Sequence, residues 1–270
     1  METIRIMDIK QLLYKAIQSA LKAGEEILKV YNSNFEVEQK DDNSPLTQAD
    51  KKAHEAISEL LKPIGYPVLS EEGADLPYSE RANLPYFWMV DPLDGTKEFV
   101  KRNGEFTVNI ALIHQQRAIL GVIYVPVTRM LYFGGHGIGS YKMEMTSFLN
   151  MDFQKIISQS TKLPLIERPK IFTVVASRSH LSETTRDFID GLKLEHKQVD
   201  FISSGSSIKL CIVAEGNADV YPRFAPTMEW DTAAGQAICE AAGKQVIDYT
   251  TNERLLYNKP VLLNNWFIVS

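Results

Sequence analysis

The chain of 270 residues is 44% hydrophobic and 23% charged, the balance of a globular protein able to bury a substantial core as one unit or two apposed subdomains. Its net charge of −5 is scattered along the chain, which leaves no basic stripe for a nucleic-acid polymer, although local cations or metal ions can still attract a small anion. No stretch approaches the ~18 apolar residues of a spanning helix, and residues 1–8 carry acids and an arginine rather than a signal-peptide core.

Over residues 8–31, Ile9, Leu12, Leu13, Ala16, Ile17, Ala20, Ala23 and Ile27 recur at spacings of three and four. This predicts an amphipathic helix with Asp8 as its N-cap. A second amphipathic helix is expected over 47–61, opened by Thr47 with Asp50 three residues on, in the manner of a capping box, and stopped before Pro63 and Gly65. The period then shortens. Residues 67–69, 86–90, 107–113, 118–125 and 130–133 read as strands of an antiparallel sheet, with 114–117 as a tight connection. Periodicity is weak over 144–168, and the boundary between subdomains 1–160 and 161–270 is placed there. Beyond it, strands at 171–176, 198–202 and 218–221 alternate with helices at 182–192, 206–215 and 231–242, the pattern of a sheet between helices. Cys211 and Cys239 lie in apolar helical patterns, so buried free thiols in a reducing compartment are expected rather than a disulfide.

Within these elements, acidic residues gather at three places. In Trp88-Met89-Val90-Asp91-Pro92-Leu93-Asp94-Gly95-Thr96-Lys97-Glu98-Phe99 an apolar strand ends at Asp91, and a tight turn is expected to bring Asp94 back beside it. Asp-Pro and Asp-Gly are ordinary turn dipeptides when taken alone. Upstream, Val68-Leu69-Ser70-Glu71-Glu72 delivers an acidic pair at the end of another strand. Downstream, Glu229-Trp230-Asp231 opens a helix that continues with small residues, where Asp231 by itself reads as an N-cap.

Together with Thr47-Gln48-Ala49-Asp50 and the two N-terminal helices, these motifs resemble the inositol monophosphatase superfamily over nearly the whole chain. The resemblance implies an α+β / α/β fold, a layered αβαβα sandwich with an antiparallel sheet in the N-terminal half and a mixed sheet in the C-terminal half. It also implies a magnesium-dependent phosphomonoesterase. Two carboxylates ~4 Å apart repel by about 4 kcal/mol at an effective dielectric of ~20, so such a cluster calls for cations. Oxygen ligands without His or Cys select a hard Mg²⁺ or Ca²⁺, and a phosphate substrate favours Mg²⁺.

By resemblance, Glu71, Asp91 and the Leu93 carbonyl hold one Mg²⁺, and Asp91, Asp94 and Asp231 hold a second, with Asp91 bridging and a third position near Glu71 left open. Thr96, hydrogen-bonded to Asp50, orients and deprotonates the attacking water; the bland alternatives are a helix cap for Thr96 and a solvated first-turn acid for Asp50. Backbone N–H groups of Gly95 and Thr96 receive phosphate oxygens, and Glu71 and Asp231 count among the substrate contacts as well.

Lys97-Glu98-Phe99, where inositol monophosphatases usually show Thr-Asn-Phe-like residues, resembles the 3'(2'),5'-bisphosphate nucleotidase branch. So do Gly205-Ser206-Ser207-Ile208-Lys209 and Ala218-Asp219-Val220-Tyr221-Pro222-Arg223. A nucleoside bisphosphate carries a second phosphate beyond the ions. Lys209 and Arg223, with Ser206 as a neutral donor, are the candidates to meet it, although each cation alone is more often a surface charge. The implied reaction converts adenosine 3',5'-bisphosphate to AMP and phosphate, with 3'-phosphoadenylyl sulfate as a second substrate. Rival readings are an inositol monophosphatase, a broad sugar-phosphate phosphatase, or a non-catalytic nucleotide-binding protein. The resemblance further implies lithium sensitivity and a cytoplasmic protein with peripheral inner-membrane association among bacterial relatives. Monomer and homodimer both stay open.

Overall fold

The computed structural model describes residues 8–33, 37–39, 45–73, 76–145, 151–165, 171–177 and 182–270. Expectations for residues 1–7, and the capping role read for the Thr47 side chain, lie outside the described residues.

α1 (Ile9–Tyr31) forms where the spacing predicts it. The Asp8 carboxylate accepts from the Lys10 amide at 3.2 Å, and Leu13, Ile17, Ala20 and Ile27 are buried along one face. After the short pair β1 (Val37–Gln39) and β2 (Pro45–Thr47), α2 (Gln48–Leu61) buries Ala49, Ala53, Ile57 and Leu61 together with Asp50. A 3-10 turn holding Pro63 then ends at left-handed Gly65.

Among the described residues, the main sheet has seven strands whose spatial order is their chain order. They are β3 (Val68–Ser70), β4 (Tyr86–Asp94), β5 (Thr107–His114), β6 (Arg117–Val125), β7 (Met130–Gly135), β8 (Gly139–Glu144) and β9 (Thr161–Leu163). Helix α3 (Tyr78–Arg81) precedes β4, α4 (Thr96–Val100) precedes β5 and α5 (Phe153–Gln159) precedes β9. All neighbours run antiparallel except β3 and β4, which are parallel, so the chain has returned to the same end before it re-enters the sheet. Within the stretch of weak periodicity, residues 151–165 contribute α5 and β9.

The C-terminal part contains β10 (Phe172–Ser177), α6 (Glu183–Glu195), β11 (Val199–Ser204), α7 (Ile208–Glu215), β12 (Tyr221–Arg223), α8 (Glu229–Ala241), β13 (Val246–Asp248), β14 (Glu253–Arg254) and β15 (Phe267–Val269). β10 and β11 are parallel, while β12, β15, β13 and β14 form an antiparallel set in that order; a parallel bridge between Val174 and Val220 links the two groups. α7 begins two residues later than its sequence pattern suggests, because Ser206 takes a left-handed φ of +39° that a helix does not accommodate. α8 begins earlier than expected, at Glu229.

Side-chain alternation explains the layering. Trp88, Val90, Val108, Ile110 and Leu112 pack with α1 and α2, whereas Phe87, Met89, Ala111 and Ile113 face the buried residues of α7 and α8. The far side of those two helices meets Tyr221, Val246, Phe267 and Val269 of the second sheet, and α6 covers that sheet with Ile189 against Val174 and Val220. The order is helix, sheet, helix, sheet, helix. α8 lies flush on β6: a Cβ at Gly121 would stand 2.2 Å from the Ala234 carbonyl oxygen, so glycine alone permits the approach. Cys211 and Cys239 are buried and free. Among the described residues, no helix is long and apolar enough to cross a membrane.

Candidate active site

β4 does not end in a tight turn. It runs on to Asp94 with a shift in register: Asp91 lies opposite Asn109 and Asp94 opposite Thr107, so three steps on β4 match two on β5. In an unbroken strand, residues three apart point to opposite faces. The one-residue bulge cancels that reversal and sends both aspartates to the α8 side, while Leu93 turns into the core beneath α1 and α2. Pro92, which has no N–H for a ladder, suits such a break. Asp91 stabilises it by accepting from the Leu93 amide at 3.0 Å.

Asp231 approaches from α8. It is the third residue of the helix rather than its N-cap; Met228 occupies that place, and its N–H donates to Asp231 Oδ2 at 2.9 Å. Asp94 Oδ2 accepts from the Ser207 amide at 2.6 Å. Each aspartate is thus tied by a backbone N–H through one named oxygen, and the other oxygen makes no hydrogen bond among the described residues. Glu71 is exposed just past β3.

These groups share one field. Burial first, then Glu71, Asp94, Asp231 and Asp50, push the Asp91 carboxyl well above the usual carboxylate range. Asp231 is raised by its burial and then by Asp94, against the Met228 N–H. Asp94 is pushed up to about 6, mainly by burial, with Lys209 and the Ser207 N–H opposing. No three His, Cys, Asp or Glu side chains among the described residues yet stand at metal-holding spacing. The donor chemistry nevertheless suits a hard divalent cation: oxygens only, mutually repelling, each held so that one oxygen remains available.

Asp50 is 3% exposed, so it is not a solvated first-turn acid, and its charge reaches Asp91. The expected hydrogen bond from Thr96 to Asp50 is not made. The Thr96 hydroxyl instead donates weakly to the Leu93 carbonyl at 3.5 Å, because the first residue of α4 stands over the carbonyl three residues back. Gly95 has φ +93°, and a Cβ there would press on the Glu105 carbonyl at 3.2 Å and Ser206 Cβ at 3.3 Å, so this turn requires glycine.

A cavity of about 120 Å³ adjoins the aspartates, lined by Asp94, Gly95, Asp231, Ser206, Lys209 and Arg223 among others. Lys209 is 4% exposed and therefore no surface charge. Its ammonium donates to the Ser204 carbonyl at 3.4 Å and to the Ser206 carbonyl, and lies 5.6 Å from the Tyr221 ring centre. Burial pushes it down to about 8, opposed by Asp94. Arg223 donates to the Pro226 carbonyl at 3.0 Å, while its Nε and the Ser206 hydroxyl are buried without partners among the described residues. Glu98, Ser177, Tyr221 and Thr227 also wall the cavity; Glu98 and Tyr221 stand in stretches that resemble the nucleotidase branch but are given no role by that resemblance, and no local pattern marks Ser177 or Thr227.

Residues 8–268 match the inositol monophosphatase family. The chain belongs to that family. It is similar to the 3'(2'),5'-bisphosphate nucleotidase CysQ of Salmonella typhimurium, 44% identical over 257 residues that span 91% of this chain and 96% of the relative. The Escherichia coli K12 protein of the same name is 43% identical with the same coverage. Among solved structures, CysQ from Bacteroides thetaiotaomicron, described as a bacterial member of the inositol monophosphatase family, superimposes with a TM-score of 0.90 at 52% identity over 97% of each chain. Inositol monophosphatase from Anabaena, at 22% identity and a TM-score of 0.72 over 98% of this chain and 92% of that one, shares the fold. The five-layer arrangement is therefore the inositol monophosphatase fold.

Proposed function

We propose that this family member is a magnesium-dependent 3'(2'),5'-bisphosphate nucleotidase that hydrolyses the 3'-phosphate of adenosine 3',5'-bisphosphate to AMP and inorganic phosphate, with 3'-phosphoadenylyl sulfate as a second substrate. The observation that carries this reading is the placement of unpartnered cationic and hydroxyl donors, Arg223 Nε and Ser206 Oγ, in one cavity with Asp94 and Asp231. A monophosphate needs only the acidic end; a bisphosphate uses both. The similarity to CysQ relatives supports the same choice.

Glu71, Asp91 and the Leu93 carbonyl would hold one Mg²⁺, and Asp91, Asp94 and Asp231 a second, with a third position near Glu71. When bound, the ions activate a water and neutralise charge on the leaving oxygen. The protein's own residues do the rest. The first-turn N–H groups at Gly95 and Thr96 have no helical acceptors and receive phosphate oxygens. Thr96, whose present bond to Leu93 is long, is free to turn its hydroxyl toward the water and pass the proton toward Asp50. Arg223 and Ser206 hold the distal phosphate. Lys209, with two of its three protons engaged by carbonyls, contributes chiefly charge. In this reading residues 1–160 carry most metal ligands, and 161–270 supply Asp231 and the nucleoside pocket. Lithium inhibits by competing for a magnesium position.

A phosphate-release panel tests the assignment. Adenosine 3',5'-bisphosphate should exceed inositol 1-phosphate in kcat/KM by about tenfold or more, the value of one charge-assisted hydrogen bond. Equal efficiency would reject the nucleotidase reading alone; absence of Mg²⁺-dependent release from every ester would reject the phosphatase reading too.

A further inference from the structure

Behind Asp94, three buried polar side chains meet. Thr107 and Asn109 on β5 and Ser207 ahead of α7 are buried, and their ends form a triangle: Thr107 Oγ1 to Asn109 Oδ1 at 3.0 Å, Ser207 Oγ to Asn109 Oδ1 at 2.7 Å, and Thr107 Oγ1 to Ser207 Oγ at 2.8 Å. Thr107 Oγ1 also stands 3.5 Å from Asp94 Oδ2. Asn109 Nδ2 is buried without a partner among the described residues.

The contacts in this triangle outnumber the hydroxyl protons available to fill them. With the amide oxygen at the apex, two hydroxyl protons must serve four contacts. Both are drawn to Asn109, the contact between Thr107 and Ser207 is left lone pair against lone pair, nothing remains to donate to Asp94, and two amide protons are stranded. With the amide nitrogen at the apex, each contact has its own proton. Asn109 then donates to Thr107 and Ser207, the Ser207 hydroxyl donates to Thr107, and Thr107 donates to Asp94 Oδ2. The two ends of the amide are nearly equal in size, so this half-turn changes no packing. It leaves one unpaired carbonyl in place of two N–H groups.

We propose that Asn109, Ser207 and Thr107 form a directed donor chain ending on Asp94 Oδ2, and that they are positioning residues for this carboxylate. The inference rests on the reading of Asp94 as a magnesium ligand. By adding a long second donor to the Ser207 N–H that holds Oδ2 at 2.6 Å, the chain favours Oδ1 as the oxygen offered to an ion, and it ties residues 204–207, which carry Ser206, to the strand beneath the proposed metal ligands. Two parts of the chain about a hundred residues apart are thereby set in one register.

Calorimetric titration with Mg²⁺, alongside phosphate release and melting in EDTA, tests the chain. Thr107→Val keeps the shape and removes the hydroxyl; Ser207→Ala keeps its backbone N–H on Asp94. Each is expected to raise the Mg²⁺ Kd about tenfold, with kcat at saturating Mg²⁺ within about threefold of wild type, and Thr107→Ser is expected to restore the affinity. A purely structural role would lower the melting point in EDTA and leave the Mg²⁺ Kd unmoved. Unchanged Kd in both hydroxyl-deletion variants, or a Thr107→Ser protein as weak as Thr107→Val, overturns the proposal. A wild type that takes up no Mg²⁺ overturns the underlying functional reading and this inference with it.

Discussion

Replacing Asp94 with asparagine should make the ion-free protein more stable while abolishing turnover. In the folded chain Asp94 holds its proton up to about pH 6, against 3.8 for an unperturbed aspartate. That gap of about two pH units, at ~1.4 kcal/mol each, means that ionised Asp94 costs the ion-free fold about 3 kcal/mol. Because the folded pKa is raised, the penalty is absent below 3.8, grows as pH rises to about 6 and is constant above. Asparagine cannot ionise, yet it keeps an oxygen for the Ser207 N–H, and it removes a like charge from Asp91 and Asp231. At ~2 °C per kcal/mol for a chain of this size, Asp94→Asn should melt about 6 °C above wild type in EDTA at neutral pH. The two melting points should converge as pH falls toward 4. Saturating Mg²⁺ should close the neutral-pH gap, since only wild type would carry the complete proposed ligand set. Melts by circular dichroism at several pH values, with and without EDTA, measure all of this. An Asp94→Asn protein that melts at or below wild type in EDTA at neutral pH, or a gap that ignores pH, would refute the reasoning.

Thr96→Ala should lower kcat by about a hundredfold, the low end of a lost proton-transfer group, with Mg²⁺ affinity by calorimetry nearly unchanged; lost affinity with intact kcat would assign Thr96 to metal binding instead. Arg223→Gln should raise KM for adenosine 3',5'-bisphosphate about tenfold or more and barely affect a nucleoside 3'-monophosphate, so equal effects on both would remove Arg223 from the distal phosphate. Glu229 is fully buried, accepts the Asn258 and Lys259 amides at 2.6 and 3.0 Å and pairs with Lys259. Glu229→Ala strands those donors and should destabilise by about 3 kcal/mol, read as a lower urea midpoint; an unchanged midpoint would contradict that accounting.

Much of the fold was legible because its long elements carry a clean period. α1 repeats apolar residues every three and four positions, and β5 and β6 are unbroken β-rich runs. The three-residue β9, β13 and β15 and the two-residue β14 are shorter than any period needs to declare itself, so they emerge only from pairing. The acidic residues stood out through their spacing. How β4 brings Asp91 and Asp94 to one side did not, since Pro92 and Gly95 signal a turn and a bulge with equal force. Thr107 and Asn109 did leave a trace: two polar residues at period two within the apolar strand Thr107–His114. The burial of Lys209 was hidden, because an isolated lysine reads as solvated until the tertiary wall around it is known.

The contact between Gly121 and Ala234 acts as a ruler for catalysis. Ala234 lies one helical turn beyond Asp231, so the seating depth of α8 on β6 sets how near that aspartate comes to its fellows. A single methyl at position 121, 2.2 Å from the Ala234 oxygen, would have to lift the helix by on the order of 1 Å, a misplacement that can cost about a hundredfold in rate without touching any reacting group. In this architecture the gauge for the spacing of the proposed ion site is an absent atom on a strand that bears none of its proposed ligands.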